Sequence, residues 1–320
     1  MSIIDQAGDL LSRTQRFRHE AMATVYEVFI LHDDAHYAHQ AAWEAFRLLD
    51  RLELELSRFI ENSDISRING LAPGLPQVIS LTTFECLELS KRLSAETGGA
   101  FDITAGFLLD CWLNKNKSLR SPSDKEVAAA RALTGMHLFE LDEKRHTVRL
   151  VSSPVRIDLG GVGKGYALDR MARLLREWSI DAALLHGGKS SVLAIGSPSD
   201  MDGWPLTISR PGRREEILVH LSLRDRALGG SGLEKGQHII DPRTGRPVTG
   251  RVAAWSSAET ATAADALSTA FMAMAPEEVS RYCSEHPGAA ALVLLDEQAG
   301  LKSEDAVLRF GDWEEESSLD

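Results

Sequence analysis

The chain is poor in cysteine, and the three it has, Cys86, Cys111 and Cys283, are odd in number and far apart. That excludes a disulfide framework and a zinc site of the paired-cysteine kind, and it suits a reducing compartment. Long apolar runs are also missing: no window approaches the ~18 apolar residues that a bilayer-spanning helix needs. Near the N-terminus, Asp5 and Asp9 interrupt the stretch where a signal peptide needs an unbroken apolar core, and no lipobox-type cysteine follows. A cytoplasmic location and no transmembrane segment are therefore expected. Positive charge is scarce as well. Lysine and arginine total 35 against 47 acidic residues, and the net charge of −12 argues against broad binding to nucleic acid or anionic membranes, which need a basic face. An anionic small molecule remains possible, held by local backbone donors and a metal. No Pro-rich linker and no internal repeat divides the chain.

What is present is a substantial apolar fraction, 43% of 320 residues, enough for one large domain or two intimately joined ones. Residues 23–31, "ATVYEVFIL", alternate as a strand does. The segment "AHYAHQAAWEAFRLLDRLELELSRF" has helical spacing, with Ala42, Phe46, Leu49, Leu52 and Leu56 on one side. A second helix ends at Gly98-Gly99, and residues 113–135 are polar and locally helical. "HTVRLVS" and "PVRIDLGG" read as strands. From 180 to 260 strands dominate, with "WPLTISRP" and "EEILVHLSL" as sheet partners; "TATAADALSTAFMAMA" then turns helical and "AAALVLLD" is one more strand. Helices clustered early and strands clustered late indicate an α+β fold.

Three stretches carry chemistry. Residues 156–170, "RIDLGGVGKGYALDR", place four glycines and Lys164 between an apolar run and a helix whose apolar face is Ala167, Met171, Leu174, Leu175 and Trp178. The spacing matches neither a Walker A loop nor a dinucleotide fingerprint. Glycines still permit close backbone approach, and a helix N-terminus favours negative charge, so the turn is either an anion site or a tight structural turn. Asp265 and Thr269 stand one helical turn apart in "ADALSTAFMAM", a carboxylate and a hydroxyl on one face. That pair suits Mg²⁺, although capping and backbone bonding are the plainer uses of such residues. In "GQHIIDPRTGRPVTG", His238 is either a satisfied core histidine or a general base, and the Pro-Arg-Thr-Gly turn needs no function of its own.

Together these stretches resemble the ApbE family of flavin transferases, which move FMN from FAD onto a threonine of a target protein. The resemblance runs from about Met22 to Phe310 through "AMATVYEV", "LSRFIENSDISRIN", "TGGAFDITAGFLLDCW", "DLGGVGKGYALD", "HIIDPRTGRP" and "ADALSTA". It implies a mixed, T-fold-like α+β architecture of two closely packed α/β subdomains with FAD in the cleft between them. A leader over 1–20, one domain over 21–310 and an acidic tail over 311–320 are the corresponding divisions. Carried over residue by residue, it places Met22 and Phe59 against the flavin and has Ala100, Phe101 and Asp102 border the cofactor. Asp158 and Lys164 would contact FAD, and the backbone at Ile239 would complete the pocket. Asp265, Thr269 and a main-chain oxygen near Gly161 would hold Mg²⁺; His238 would take the acceptor's proton, and the glycine-loop N–H groups would help hold the pyrophosphate. The implied partners are FAD and a flavin-acceptor protein bearing the target threonine. Binding of FAD without transfer, or its hydrolysis to FMN and AMP, are the alternatives. The chain departs from the family pattern at Ala23 (commonly Gly), Phe59 (often Tyr), Gly163 (commonly Ala) and Lys189 (usually Asp or Asn); the block "GSGLEKGQHII" is short and lacks a tyrosine often found there.

Overall fold

The computed structural model describes residues 13–114, 118–151, 154–233, 239–296 and 306–313. Its frame is an eight-stranded sheet: β1 (Gln15–Ala21), β2 (Thr24–Ile30), β3 (Ala183–Gly187), β4 (Ser191–Ile195), β5 (Ala227–Gly232), β6 (Arg251–Ala258), β7 (Ala290–Leu295) and β8 (Val307–Phe310). The strands lie side by side in chain order, and every neighbouring pair is antiparallel. The alternation of side chains explains how both faces are covered. In β3, Ala183 and Leu185 enter the main core, whereas Leu184 points to a second apolar cluster on the other face with Val192, Trp204 and Leu221.

Three helices cover the main-core face: α1 (Ala35–Leu56), α6 (Gly163–Glu177) and α7 (Ala261–Ala273). All five apolar positions expected on one side of α1 are buried, and Asp34 caps its start by accepting from the N–H groups of His36 and Tyr37. On α6, Ala167, Met171 and Leu175 are buried, with Leu174 and Trp178 packed against the core edge. Between α1 and α6 lies a smaller part made of α2 (Asp64–Asn69), α3 (Leu81–Glu96), α4 (Gly106–Trp112), α5 (Asp124–Ala132) and a three-stranded sheet of Pro76–Val78, Thr147–Leu150 and Phe139–Asp142. Helix α3 stops as expected, with Gly98 and Gly99 at φ +58° and +79°. The apolar core runs without interruption from Tyr26 and Leu49 to Leu87, Phe139 and Val148.

Several expectations are corrected. Residues 15–20, which the sequence division puts in the leader, form most of β1, whose Phe17 packs on the core. The tail is anchored at its start, where Trp313 Nε1 donates to the Ala291 carbonyl at 3.3 Å. The segment "PVRIDLGG" is no sheet strand; it makes one isolated bridge, between Arg156 and Ala105, and backbone bonds outside any sheet. The Asn69 side chain pairs with both the N–H and the carbonyl of Ile157, and Asp158 N donates to Ile103 O. "WPLTISRP" and "EEILVHLSL" pair with each other as a separate hairpin, Trp204–Arg210 with Arg213–Leu223, which covers the second face rather than extending the main sheet. Among the described residues, no helix is long and apolar enough to cross a membrane.

The hairpin from β1 to β2 turns on Met22 and Ala23, at φ +50° and +56°. Two left-handed residues in sequence are what a tight two-residue hairpin requires, and a Cβ is disfavoured there. Ala23→Gly should therefore stabilise the fold by about 0.5–1 kcal/mol, read as a higher urea midpoint at unchanged slope. An unchanged or lower midpoint would show that the turn carries no such strain.

Candidate functional site

The site is organised by α7, a helix buried along most of its length. Two glycines let it sit close to its neighbours. A Cβ at Gly165 of α6 would come within 2.0 Å of the Ala261 carbonyl, and one at Gly229 of β5 within 2.2 Å of the Ala264 carbonyl. Both ends of α7 are held by charge. At its start, Asp169 of α6 accepts from the N–H groups of Ala261 and Thr262, each at 2.8 Å, and from the Thr262 hydroxyl. At its end, Arg243 donates to Ala273 O at 2.8 Å and Arg251 to Met272 O at 3.2 Å and to Met274 O. An anion at the N-terminus and cations at the C-terminus complement the helix dipole.

This clamp fixes Asp265, only 3% exposed. Its Oδ1 accepts from Ser191 Oγ at 2.6 Å, and its Oδ2 accepts from Gly165 N at 2.8 Å and from Lys164 Nζ at 3.3 Å. The glycine turn thus holds an anion belonging to the protein itself. Three further amides of the turn are committed too: Gly160 N donates to Asp158 Oδ1, and Val162 N and Gly163 N to Leu159 O. The expectation that the glycine-loop amides hold an outside anion is corrected for these four groups, which leaves Lys164 as the loop's charged donor.

Thr269, one turn along, points its hydroxyl at Ser231 Oγ, 3.1 Å away, and bonds its own helix at Asp265 O. A Cβ placed on Gly161 would lie 3.1 Å from Thr269 Oγ1 and 3.4 Å from the Phe101 ring. Gly161, Thr269 and Phe101 therefore adjoin, and the missing Cβ leaves room beside the hydroxyl. The donor set here is carboxylate, hydroxyl and main-chain oxygen, the hard oxygens that suit Mg²⁺. A carboxylate offers ~four acceptor positions, and the three donors already present on Asp265 leave one open. Among the described residues, no three His, Cys, Asp or Glu side chains gather to hold a metal, so a cation here relies on one carboxylate and neutral oxygens.

At the rim, Asp158 pairs with Arg58 at 3.1 Å, and the Arg58 guanidinium lies 4.8 Å from the centre of the Phe59 ring. Phe59 is 83% exposed, which is the unusual condition for a large aromatic ring. Met22 is anchored through its N–H to Glu53 Oε1 at 2.8 Å, and its sulfur accepts from the Tyr26 hydroxyl at 3.3 Å. Burial, reinforced by the charges of Asp265 and Glu53, makes the Tyr26 phenol a far weaker acid than usual. Ala100, Phe101 and Ile239 are buried in the main core. Asp102 directs Oδ1 inward to the N–H and hydroxyl of Thr104, at 2.7 and 2.6 Å. His238 lies outside the described residues.

A model of the ApbE family matches residues 22–293. The chain belongs to the ApbE family. Two relatives named FAD:protein FMN transferase are each 28% identical to it. The one from Klebsiella pneumoniae aligns over 89% of this chain and 85% of its own, and the one from Treponema pallidum over 81% and 78%. The crystal structure of the ApbE protein of Thermotoga maritima superposes with a TM-score of 0.81 at 27% identity, covering 93% of this chain and 97% of that one. The flavin transferase ApbE of Vibrio cholerae shares the fold, with a TM-score of 0.79 at 24% identity over 93% and 96% of the two chains. The mixed α+β class expected from the sequence is that of these ApbE structures.

The geometry adds residues that sequence reasoning missed. Ser191 follows the glycine pair Gly187-Gly188 and had no signal beyond being a small polar residue. Asp169 sat in plain view inside "GYALD", but its partners are ninety residues away. Arg243, read as part of an ordinary turn, ties Asp241, Glu278 and the end of α7 together while packing near Gly99. Asp169→Ala should cost about 2–3 kcal/mol, because it strips a buried cap bound by several donors; a loss below about 0.5 kcal/mol, the range of ordinary surface changes, would remove the clamp.

Burial raises the Asp102 carboxyl above the usual Asp value, with the Thr104 bonds opposing in part. A raised folded-state value means the native protein keeps its proton longer than the unfolded chain. Its contribution to stability is then present below the unfolded value, near ~3.9, and declines as pH rises through the folded one. Asp102→Asn, which does not titrate, should gain stability relative to wild type across that window and then hold a constant offset. Urea unfolding at several pH values tests this; parallel curves throughout would refute it.

Proposed function

We propose that this protein transfers FMN from FAD to a threonine hydroxyl of an acceptor protein, releasing AMP, in a site built on Asp265, Thr269 and the glycine turn of α6. The observation that carries the reading is the buried Asp265 carboxylate, set beside Lys164 and one helical turn from Thr269, in a chain of the ApbE family. Similarity along most of the chain to proteins named FAD:protein FMN transferase supports the reaction class.

In this reading, FAD lies with its flavin toward Met22 and the exposed Phe59, beside Phe101, and its pyrophosphate toward Lys164. Asp265, Thr269 and a main-chain oxygen near Gly161 hold Mg²⁺, which when bound supplies charge neutralisation at the phosphate oxygens. Lys164 adds a point charge on the same side, an electrostatic contribution that counts most where charge grows on the leaving AMP. The acceptor's threonine oxygen forms a bond to the FMN-side phosphorus as the bond from that phosphorus to the AMP oxygen breaks. The threonine proton passes to His238, and the bonding pair leaves with AMP. Ser191 orients the Asp265 carboxylate, and Asp169, Arg243 and Arg251 hold its helix in place. The cytoplasmic setting expected from the sequence is part of the proposal, and cell fractionation checks it.

The test mixes purified protein, FAD, Mg²⁺ and a candidate flavin-carrier domain, then follows AMP release and covalent flavin fluorescence on a denaturing gel. A fluorescent carrier supports transfer. Free FMN with AMP points to hydrolysis, and intact FAD beside a competent carrier points to a binding protein. Asp265→Ala should lower turnover by roughly 100-fold or more through lost metal. His238→Ala should retain FAD while transfer falls by roughly 100- to 10,000-fold, the usual contribution of a positioned base. Wild-type rates in either variant would remove the role assigned to that residue.

A further inference from the structure

Resting on the metal reading above, we propose that Lys164 is the resident counter-ion of Asp265 and exchanges places with the divalent cation, so that cation and pyrophosphate bind as a coupled pair. A buried carboxylate without a positive partner is costly, and among the described residues the only ion pair of Asp265 is with Lys164. The contacts to Asp265 differ in kind. Ser191 Oγ and Gly165 N, at 2.6 and 2.8 Å, come from a buried strand and the backbone of a packed helix. Lys164 Nζ stands off at 3.3 Å on a side chain 24% exposed. Charge-assisted N–H···O bonds are commonly ~2.7–2.9 Å, so the lysine is the loose member of the set. Its four-carbon stem lets it withdraw while the other two donors stay.

Charge arithmetic supplies the coupling. One carboxylate balances one ammonium; adding a divalent cation beside both leaves a surplus of two positive charges at a largely buried point. The cation alone must therefore push Lys164 aside without compensation. When a pyrophosphate is present, its oxygens receive the displaced ammonium and share the cation, so each ligand tightens the other by the same factor. On this view Lys164 keeps the site closed to free cations and opens it to those arriving with the nucleotide.

Mn²⁺ serves as the probe, with free ion measured by electron paramagnetic resonance on the full chain, with and without FAD and in the absence of acceptor. Wild type should bind Mn²⁺ weakly alone and about tenfold or more tightly with FAD, within the usual range of coupling between sites. Lys164→Met should bind Mn²⁺ alone about tenfold more tightly than wild type, the scale of removing one nearby charge in a partly screened site, and its FAD-dependent gain should shrink. Lys164→Arg, which keeps the charge, should behave as wild type. Lys164→Met binding Mn²⁺ no more tightly than wild type overturns the exchange. If that variant fails to fold, Lys164→Gln takes its place, and wild type showing no gain with FAD overturns the proposal by itself. Asp265→Ala separates the two levels: if it binds Mn²⁺ as wild type does, the metal reading fails, whereas if it loses Mn²⁺ and Lys164→Met gains none, only the exchange fails.

Discussion

The structure depends on holding one carboxylate, Asp265, buried in the helix that organises the site. A buried anion must be hydrogen-bonded and paired, and both conditions are met by elements distant in the chain: Ser191 from β4, and Gly165 and Lys164 from the start of α6. Those contacts require α7 to lie almost on top of α6 and β5. The absence of side chains at Gly165 and Gly229 permits that approach, and Asp169, Arg243 and Arg251 keep the helix from sliding along its axis. Glycine pattern, charge placement and sheet order all serve the position of one side chain.

The segments that carry the family resemblance are bound to one another as well as to the core. Asn69 stands in for a strand partner at Ile157, immediately before Asp158. Asp158 in turn holds Arg58 under the exposed Phe59 ring. Arg243 joins the turn after Ile240 to the end of α7 and to the start of α8 (Pro276–Glu285). Met22 sits in a left-handed turn pinned by Glu53, a conformation in which backbone strain is stored at the edge of the site. These contacts fix the positions of the resemblance-bearing side chains relative to one another, and such fixed placement is what positioning of a phosphoryl centre demands.

Lys164 is the more exposed and more distant of the donors to Asp265. Its ammonium is the one charged donor the turn offers to Asp265, and the glycine-turn amides that sequence patterns assign to phosphate are bound internally at Gly160, Val162, Gly163 and Gly165. The loop's shape resembles a nucleotide-binding turn because both solve one problem, holding an anion at a helix start. Here the anion is the protein's own.

Local pattern alone determined the helices α1 and α6, whose apolar faces repeat with helical spacing, and the end of α3 at Gly98-Gly99, while the alanine-rich run of α7 read as helical without a single apolar face. It also singled out Asp265, Thr269 and Lys164, whose residue types and short separations are visible along the chain. Only the tertiary structure decided that β1 belongs to the sheet, that Ile157 is held by Asn69 rather than by a strand, and that Ser191, Asp169 and Arg243 bond to Asp265 or to the ends of its helix. Their partners lie tens of residues away, and a hydrogen bond across such a separation leaves no periodicity in the sequence. Spacing reports which face a side chain occupies; what meets it there is set by which elements the fold brings together.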